Sequence, residues 1–144
     1  MTPWMVCCST LEDFAPQREA LRQLLRHSLG LRGEGFFVAV NEGVVNALLH
    51  GAPLGELPRV TVTLMEDNDA VVVEIQDQGA GLPPGALERD FPSPDEEGGR
   101  GVPLMARLAD AVSYDTARHT LRLSVRRPTA PPVEGDISNT RKEE

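Results

Sequence analysis

The sequence predicts an α+β protein, a two-layer sandwich with a mixed, largely antiparallel sheet covered on one face by helices. Three observations predict it. Two helical stretches follow one another directly in the first 50 residues, two β-rich stretches then flank the turn Asp67-Asn68-Asp69, and a second hairpin of strands ends near residue 127. Grouped helices with hairpin-connected strands give layers of this kind, whereas a doubly wound parallel sheet needs strict alternation of strand and helix. The predicted order is β-α-α-β-β-loop-α-β-β, with no internal repeat.

Each element has its own signal. Trp4 to Cys8 reads as a short strand. Ser9 to Glu12 offers a capping box and Pro16 suits a first helical turn. Ala20, Leu21, Leu24, Leu25 and Ser28 then recur at helical spacing among Arg18, Glu19, Arg22 and Arg26, up to Gly30. Gly33-Glu34-Gly35 reads as a break. A second helix is expected from Phe36 to His50, with Phe36, Phe37, Val40, Val44, Ala47 and Leu48 on its buried side and Gly51 and Pro53 ending it. Strands follow at 59–66, where Val60, Val62 and Leu64 alternate with Thr61 and Thr63, and at 70–76, which carries Val71, Val72, Val73 and Ile75. Residues 77–101 are rich in Gly and Pro, and so long a loop inside a compact domain is more often functional than idle. Val102, Met105, Leu108 and Ala109 mark a third helix. Ala111 to Asp115 and Thr120 to Arg127 mark the last hairpin. The domain is therefore expected over residues 1–127, and the polar, Pro-rich residues 128–144 as a disordered tail.

Composition narrows the function. The chain has 144 residues, the size of one domain, with 14 basic and 22 acidic side chains and a net charge of −8. A phosphate-backbone binder needs a basic stripe, so direct nucleic-acid binding is not expected. Lys142 is the sole lysine, which leaves phosphate contacts to Arg, His or the backbone. No apolar run approaches the roughly 20 residues of a membrane helix, and the first residues lack the pattern of a signal peptide, so the expected location is cytoplasmic, without a membrane partner. Cys7 and Cys8 are adjacent, a poor geometry for a disulfide, and are expected reduced.

Three motifs carry chemistry. Glu42 and Asn46 are four residues apart on the second helix, hence on one face, with His50 a further turn along. An amide oxygen is a hard ligand suited to Mg²⁺, and a carboxylate can act as a base or hold a water; a plain solvated stripe is the simpler alternative. Asp77-Gln78-Gly79-Ala80-Gly81 follows directly on a strand. Its glycines let the backbone approach a ligand closely, and Asp77 can accept a hydrogen bond from an exocyclic amine such as that of adenine; a turn is the alternative. Gly98-Gly99-Arg100-Gly101 precedes a helix whose N-terminal N–H groups and dipole favour phosphate; a flexible connector is the alternative. It is neither a Walker loop nor a dinucleotide fingerprint.

In this order and on these elements, the motifs resemble the GHKL (Bergerat-fold, histidine-kinase-like) ATPases. In detail they look like the anti-sigma-factor serine/threonine kinases of the RsbW/SpoIIAB group. The resemblance rests on Asn41-Glu42 through Asn46-Ala47 with His50-Gly51, on Gly99-Arg100-Gly101-Val102 with Leu104-Met105 and Leu108, and on Asp110-Ala111-Val112. It covers about residues 4–127. It implies ATP and Mg²⁺ as cofactors. Glu42 would polarise the attacking hydroxyl and Asn46 would be the Mg²⁺ ligand. Asp77 would accept from the adenine amine, and Gly79 and Gly81 would form the hinge of a lid. Gly99 and Gly101 would give N–H groups to the phosphates, Arg100 would reach the γ-phosphate, and Thr120 would contact adenine through water. His119 stands where the family often has glycine, and Pro103 stiffens the end of the second glycine region. The implied activity is phosphorylation of a serine or threonine on an anti-anti-sigma (STAS-type) antagonist protein. The same protein would sequester a sigma factor, as a homodimer. The alternatives are a non-catalytic ATP-gated binding module and a detached histidine-kinase catalytic domain.

Overall fold

The computed structural model describes residues 4–53, 55–78 and 101–128, except the side chains of 101–104. Strand β1 (Trp4–Cys8) leads into α1 (Leu11–Leu29) and α2 (Arg32–His50). The hairpin β2 (Val60–Glu66) and β3 (Ala70–Gln76) follows, and then α3 (Gly101–Leu108) and the hairpin β4 (Ala111–Asp115) and β5 (Thr120–Arg126). The five strands form one sheet in the order β1-β2-β3-β5-β4. All four pairings are antiparallel, so the described sheet contains none of the parallel pairing that a mixed sheet would have. The antiparallel pairing follows from the connections: β2–β3 and β4–β5 are tight hairpins, and the α1–α2 helical hairpin returns the chain to β1's side.

The capping box sits one residue later than expected. Thr10, not Ser9, caps α1: its hydroxyl accepts the Asp13 N–H at 3.0 Å, and the Asp13 carboxylate accepts the N–H groups of Ser9 and Thr10 at 2.9 and 3.2 Å. Pro16 therefore falls in the second turn, not the first. It forfeits only the bond to the Glu12 carbonyl, in the exposed first turn where water can replace it.

Helix α2 begins at Arg32, four residues before the expected start, and absorbs Gly33-Glu34-Gly35. These glycines serve packing and do not break the helix. A Cβ on Gly33 would sit 2.4 Å from the Leu25 carbonyl oxygen, so the first turn of α2 touches the backbone of α1. Glu34 lies in that turn, where a negative charge suits the helix dipole, and pairs with Arg22 and Arg26 at 3.3 and 3.4 Å.

The core lies between the helices and one face of the sheet. Val60, Val62 and Leu64 of β2, Val71, Val73 and Ile75 of β3, and Leu121, Leu123 and Val125 of β5 alternate inward and are buried. Against them pack Phe14, Leu21, Leu25 and Leu29 of α1 and Phe36, Val40, Val44, Ala47 and Leu48 of α2. Ala20 and Leu24, expected inside, lie exposed because the stripe runs through 14, 21, 25 and 29. Cys7 is exposed, Cys8 is buried, and both are free thiols.

Asp110, between α3 and β4, staples the far end. It accepts the Arg126 backbone N–H at 2.6 Å and the Arg32 guanidinium. Those two interactions, the backbone bond first, hold its carboxyl below the ordinary aspartate range.

Two tests follow from this packing. Gly33→Ala should destabilise the protein by about 2–3 kcal/mol in urea unfolding because backbone must move. Gly35→Ala, whose new Cβ would meet Leu108 at an ordinary 3.5 Å, should stabilise it by about 0.5–1 kcal/mol through helix propensity. A folded-state pKa below the unfolded one means that Asp110's contribution is complete above the unfolded value of about 4 and disappears as pH falls through the folded value. The stability difference between the parent and Asp110→Asn should therefore be full at neutral pH and vanish in acid, measured as unfolding midpoints across that range.

Candidate functional site

The site is organised by how closely α2 lies on the sheet. Gly43, at mid-helix, has no side chain to hold α2 off. A Cβ there would sit 2.8 Å from Ile75 Cδ1, 3.0 Å from Leu121 Cδ2 and 3.3 Å from Met105 Sδ. Strands β3 and β5 and helix α3 thus meet α2 at one point. Glu42 and Asn46 flank that point, one turn apart (about 6 Å of rise) and both half-buried. They share their stripe with Gly35, which faces Leu108 of α3, so they border the α2–α3 side of the molecule.

The end of α2 is stitched to the end of β3. Gly51 caps the helix by donating its N–H to the Ala47 carbonyl at 2.8 Å. Its own carbonyl accepts the Gln78 N–H at 3.0 Å, while the Asp77 N–H donates to the His119 carbonyl at 3.0 Å. The Asp77 side chain lies directly against Gly51: a Cβ at 51 would be 2.7 Å from Asp77 Oδ2 and 2.9 Å from Asp77 Cβ. Asp77 is half-buried, with its backbone held from two sides.

The β4–β5 turn completes this corner. Asp115 accepts the N–H groups of Ala117 and Arg118 at 3.0 and 3.2 Å, closing an Asx-type turn. His119 then takes a left-handed conformation, φ 50°. An L residue in that conformation carries roughly 1–2 kcal/mol of strain. Thr120 is buried, and its hydroxyl donates to the Arg118 carbonyl at 2.9 Å. A carbonyl can only accept, so the Thr120 proton is committed and its oxygen can serve a ligand or water only as an acceptor.

The structure thus brings the Glu42–Asn46 helix, Asp77 and Thr120 to one region. Gly79, Gly81, Gly99 and Arg100 lie outside the described residues, and Gly101 opens α3. His50 is exposed on the last turn of α2. Sequence reasoning used Gly51 as a helix terminator and as part of the helix box on which the resemblance rests. Its second role, as the seat of Asp77, had no local signal, because it depends on a strand end 26 positions further along the chain.

The arrangement suits a nucleotide. Asp77 presents an acceptor on a fixed backbone. Among the described residues, the Tyr114 hydroxyl, on β4, is buried without a hydrogen-bond partner, as is Asn41 Oδ1 on α2. No group of three or more His, Cys, Asp or Glu able to hold a metal occurs among the described residues. Mg²⁺ needs only one or two protein oxygens and completes its shell with water and substrate phosphates, so a single amide oxygen such as that of Asn46 is chemically compatible with it. Among the described residues, no helix is long and apolar enough to cross a membrane.

A Cβ at 51 would also lie 2.3 Å from the Ala47 carbonyl oxygen, so Gly51→Ala should shift the last turn of α2 as well as push the Asp77 carboxylate aside. Adenine-nucleotide affinity should fall at least tenfold by calorimetry while circular dichroism still reports a folded protein.

Comparison with known proteins agrees with this geometry. Residues 8–125 match the model of the histidine kinase-like ATPase domain. Among solved structures, the chain is similar to a mycobacterial sensor histidine kinase, MprB, with a TM-score of 0.50 and 19% identity over 89% of this chain and 100% of that one, a likeness of fold alone. No curated protein matches. The family match spans most of the chain and falls on the same strands and helices that assemble the corner around Gly43, Gly51 and Asp77: the chain belongs to the histidine kinase-like ATPase domain family, with the GHKL fold.

Proposed function

We propose that this protein is an ATP-dependent serine/threonine kinase that acts as an anti-sigma factor in the cytoplasm. Its substrate is an anti-anti-sigma protein of the STAS type, and its second partner is a sigma factor, which it holds as a homodimer. The observation that carries the reading is the pairing of Glu42 and Asn46, one turn apart on α2, with Asp77 seated at the end of the same helix. A base-recognising acceptor, a hard oxygen ligand and a carboxylate base then lie along a single rigid element.

Bound ATP with Mg²⁺ supplies the γ-phosphoryl group and screens its charge. Asp77 accepts from the exocyclic amine of the base and fixes which purine enters. Asn46 would hold Mg²⁺ through its amide oxygen, and the ion would neutralise phosphate charge. Glu42 accepts the proton of the substrate hydroxyl as its oxygen bonds to phosphorus and the bond to the ADP oxygen breaks. Phosphoryl transfer depends mainly on positioning and charge neutralisation, which the rigidity of α2 favours. The chain's net charge of −8 suits docking to a basic surface on a partner.

The fold shared with a sensor histidine kinase also favours a second reading, a detached histidine-kinase catalytic domain. The chemistry of the product separates them: phosphoserine and phosphothreonine survive acid, and phosphohistidine does not.

Incubation with labelled ATP, Mg²⁺ and a STAS-type antagonist should give an acid-stable phosphoprotein. Glu42→Gln should cut the transfer rate about 10²–10⁴-fold with ATP affinity nearly unchanged, the signature of a lost general base. Asn46→Ala should abolish the Mg²⁺-dependent part of ATP binding in calorimetry. Nucleotide binding without transfer to any hydroxyl acceptor would leave only an ATP-gated binding module.

A further inference from the structure

Strand register places Tyr114 in the floor of the same corner. Tyr114 pairs with Leu121, and Leu121 pairs with Ile75, so the three form one row across β4, β5 and β3. Ile75 and Leu121 are the two sheet side chains that lie under Gly43. Tyr114 packs against the core from the same, helix-facing side. Asp77 stands two residues beyond Ile75 and so continues that face. The Tyr114 hydroxyl is buried and has no hydrogen-bond partner among the described residues, an arrangement that costs free energy unless something bonds to it. Burial, then the charges of Asp77 and Asp115, raise the Tyr114 pKa, which shows that the phenol lies within the field of the Asp77 carboxylate.

Resting on the ATP-binding reading, we propose that Tyr114 is a base-contacting residue, whose hydroxyl donates a hydrogen bond to the ring nitrogen of adenine adjacent to the amine accepted by Asp77. The chemistry is complementary. The edge of adenine presents a donor, its amine, beside an acceptor, its N1. Asp77 is an acceptor and the phenol a donor. Thr120 cannot take the donor role, because its proton is already given to Arg118. Guanine has an acceptor where adenine has its amine and so mismatches Asp77, whereas a phenol can either donate or accept. Tyr114 therefore adds to affinity for adenine, and Asp77 carries the discrimination against guanine.

Tyr114→Phe keeps the ring and removes only the unpartnered oxygen, so the fold is retained. Calorimetric ATP affinity should fall about five- to tenfold. The control is 1-deaza-ATP, which lacks the N1 acceptor. The wild-type protein should bind it more weakly than ATP by a similar factor, and Tyr114→Phe should bind the two alike, closing a coupling cycle. A second readout needs no variant. Tyr114 is the chain's one tyrosine, so the near-ultraviolet titration of its phenol is that of this residue alone, and saturating ATP should move it to higher pH. Full ATP affinity in Tyr114→Phe, or an undiminished 1-deaza penalty in that variant, overturns the inference while leaving ATP binding intact. Failure of the wild-type protein to bind ATP overturns the underlying reading, and this inference with it.

Discussion

The contact on which the rest of the structure depends is that of α2 with the sheet at Gly43. With no side chain between them, the helix backbone lies directly over Ile75 and Leu121. That contact sets the height of Glu42 and Asn46 above β3 and β5, and it carries the end of α2 down to the level of Asp77. A larger residue at 43 would first have to displace the side-chain tips of Ile75, Leu121 and Met105. Glycine in mid-helix costs roughly 1 kcal/mol of propensity, and here that cost is offset by the burial it permits.

Close approach recurs at three glycines of α2, with a different neighbour each time. Gly33 meets the backbone of α1, Gly43 meets the sheet and α3, and Gly51 meets Asp77. The helix is thus located at its start by the backbone of α1, in its middle by the side-chain tips of Ile75, Leu121 and Met105, and at its end by the Asp77 side chain. Groups carried on such an element stay near one geometry with little reorganisation, which is what electrostatic stabilisation of a transferring group needs.

Much of this was legible in the sequence. Alternation of Val60, Val62 and Leu64, and of Leu121, Leu123 and Val125, gave the strands and their inward faces, because a half-buried sheet imposes a period of two. The start of α2 was not legible: Gly33-Glu34-Gly35 looks like a break by propensity, and only the tertiary contact with Leu25 reveals it as a packing surface. Glu42, Asn46 and Asp77 stood out as candidates by spacing and residue type, and the resemblance supplied their proposed roles. Gly51 and Tyr114 did not, since their neighbours come from strands remote in the chain. His119 illustrates the middle case: the resemblance marked the position as unusual, and the structure shows a non-glycine residue in the left-handed region.

The pairing of β1 with β2 has a consequence for how the molecule is made. Trp4 faces Leu64 and Cys8 faces Val60, so the first strand meets a neighbour that is synthesised long after it. The helical hairpin between them shortens that search, since antiparallel α1 and α2 return the chain toward its own beginning and reduce the loop-closure cost. The N-terminal strand still has no neighbour until β2 has left the ribosome, so this domain cannot assemble strictly from its first residue onward.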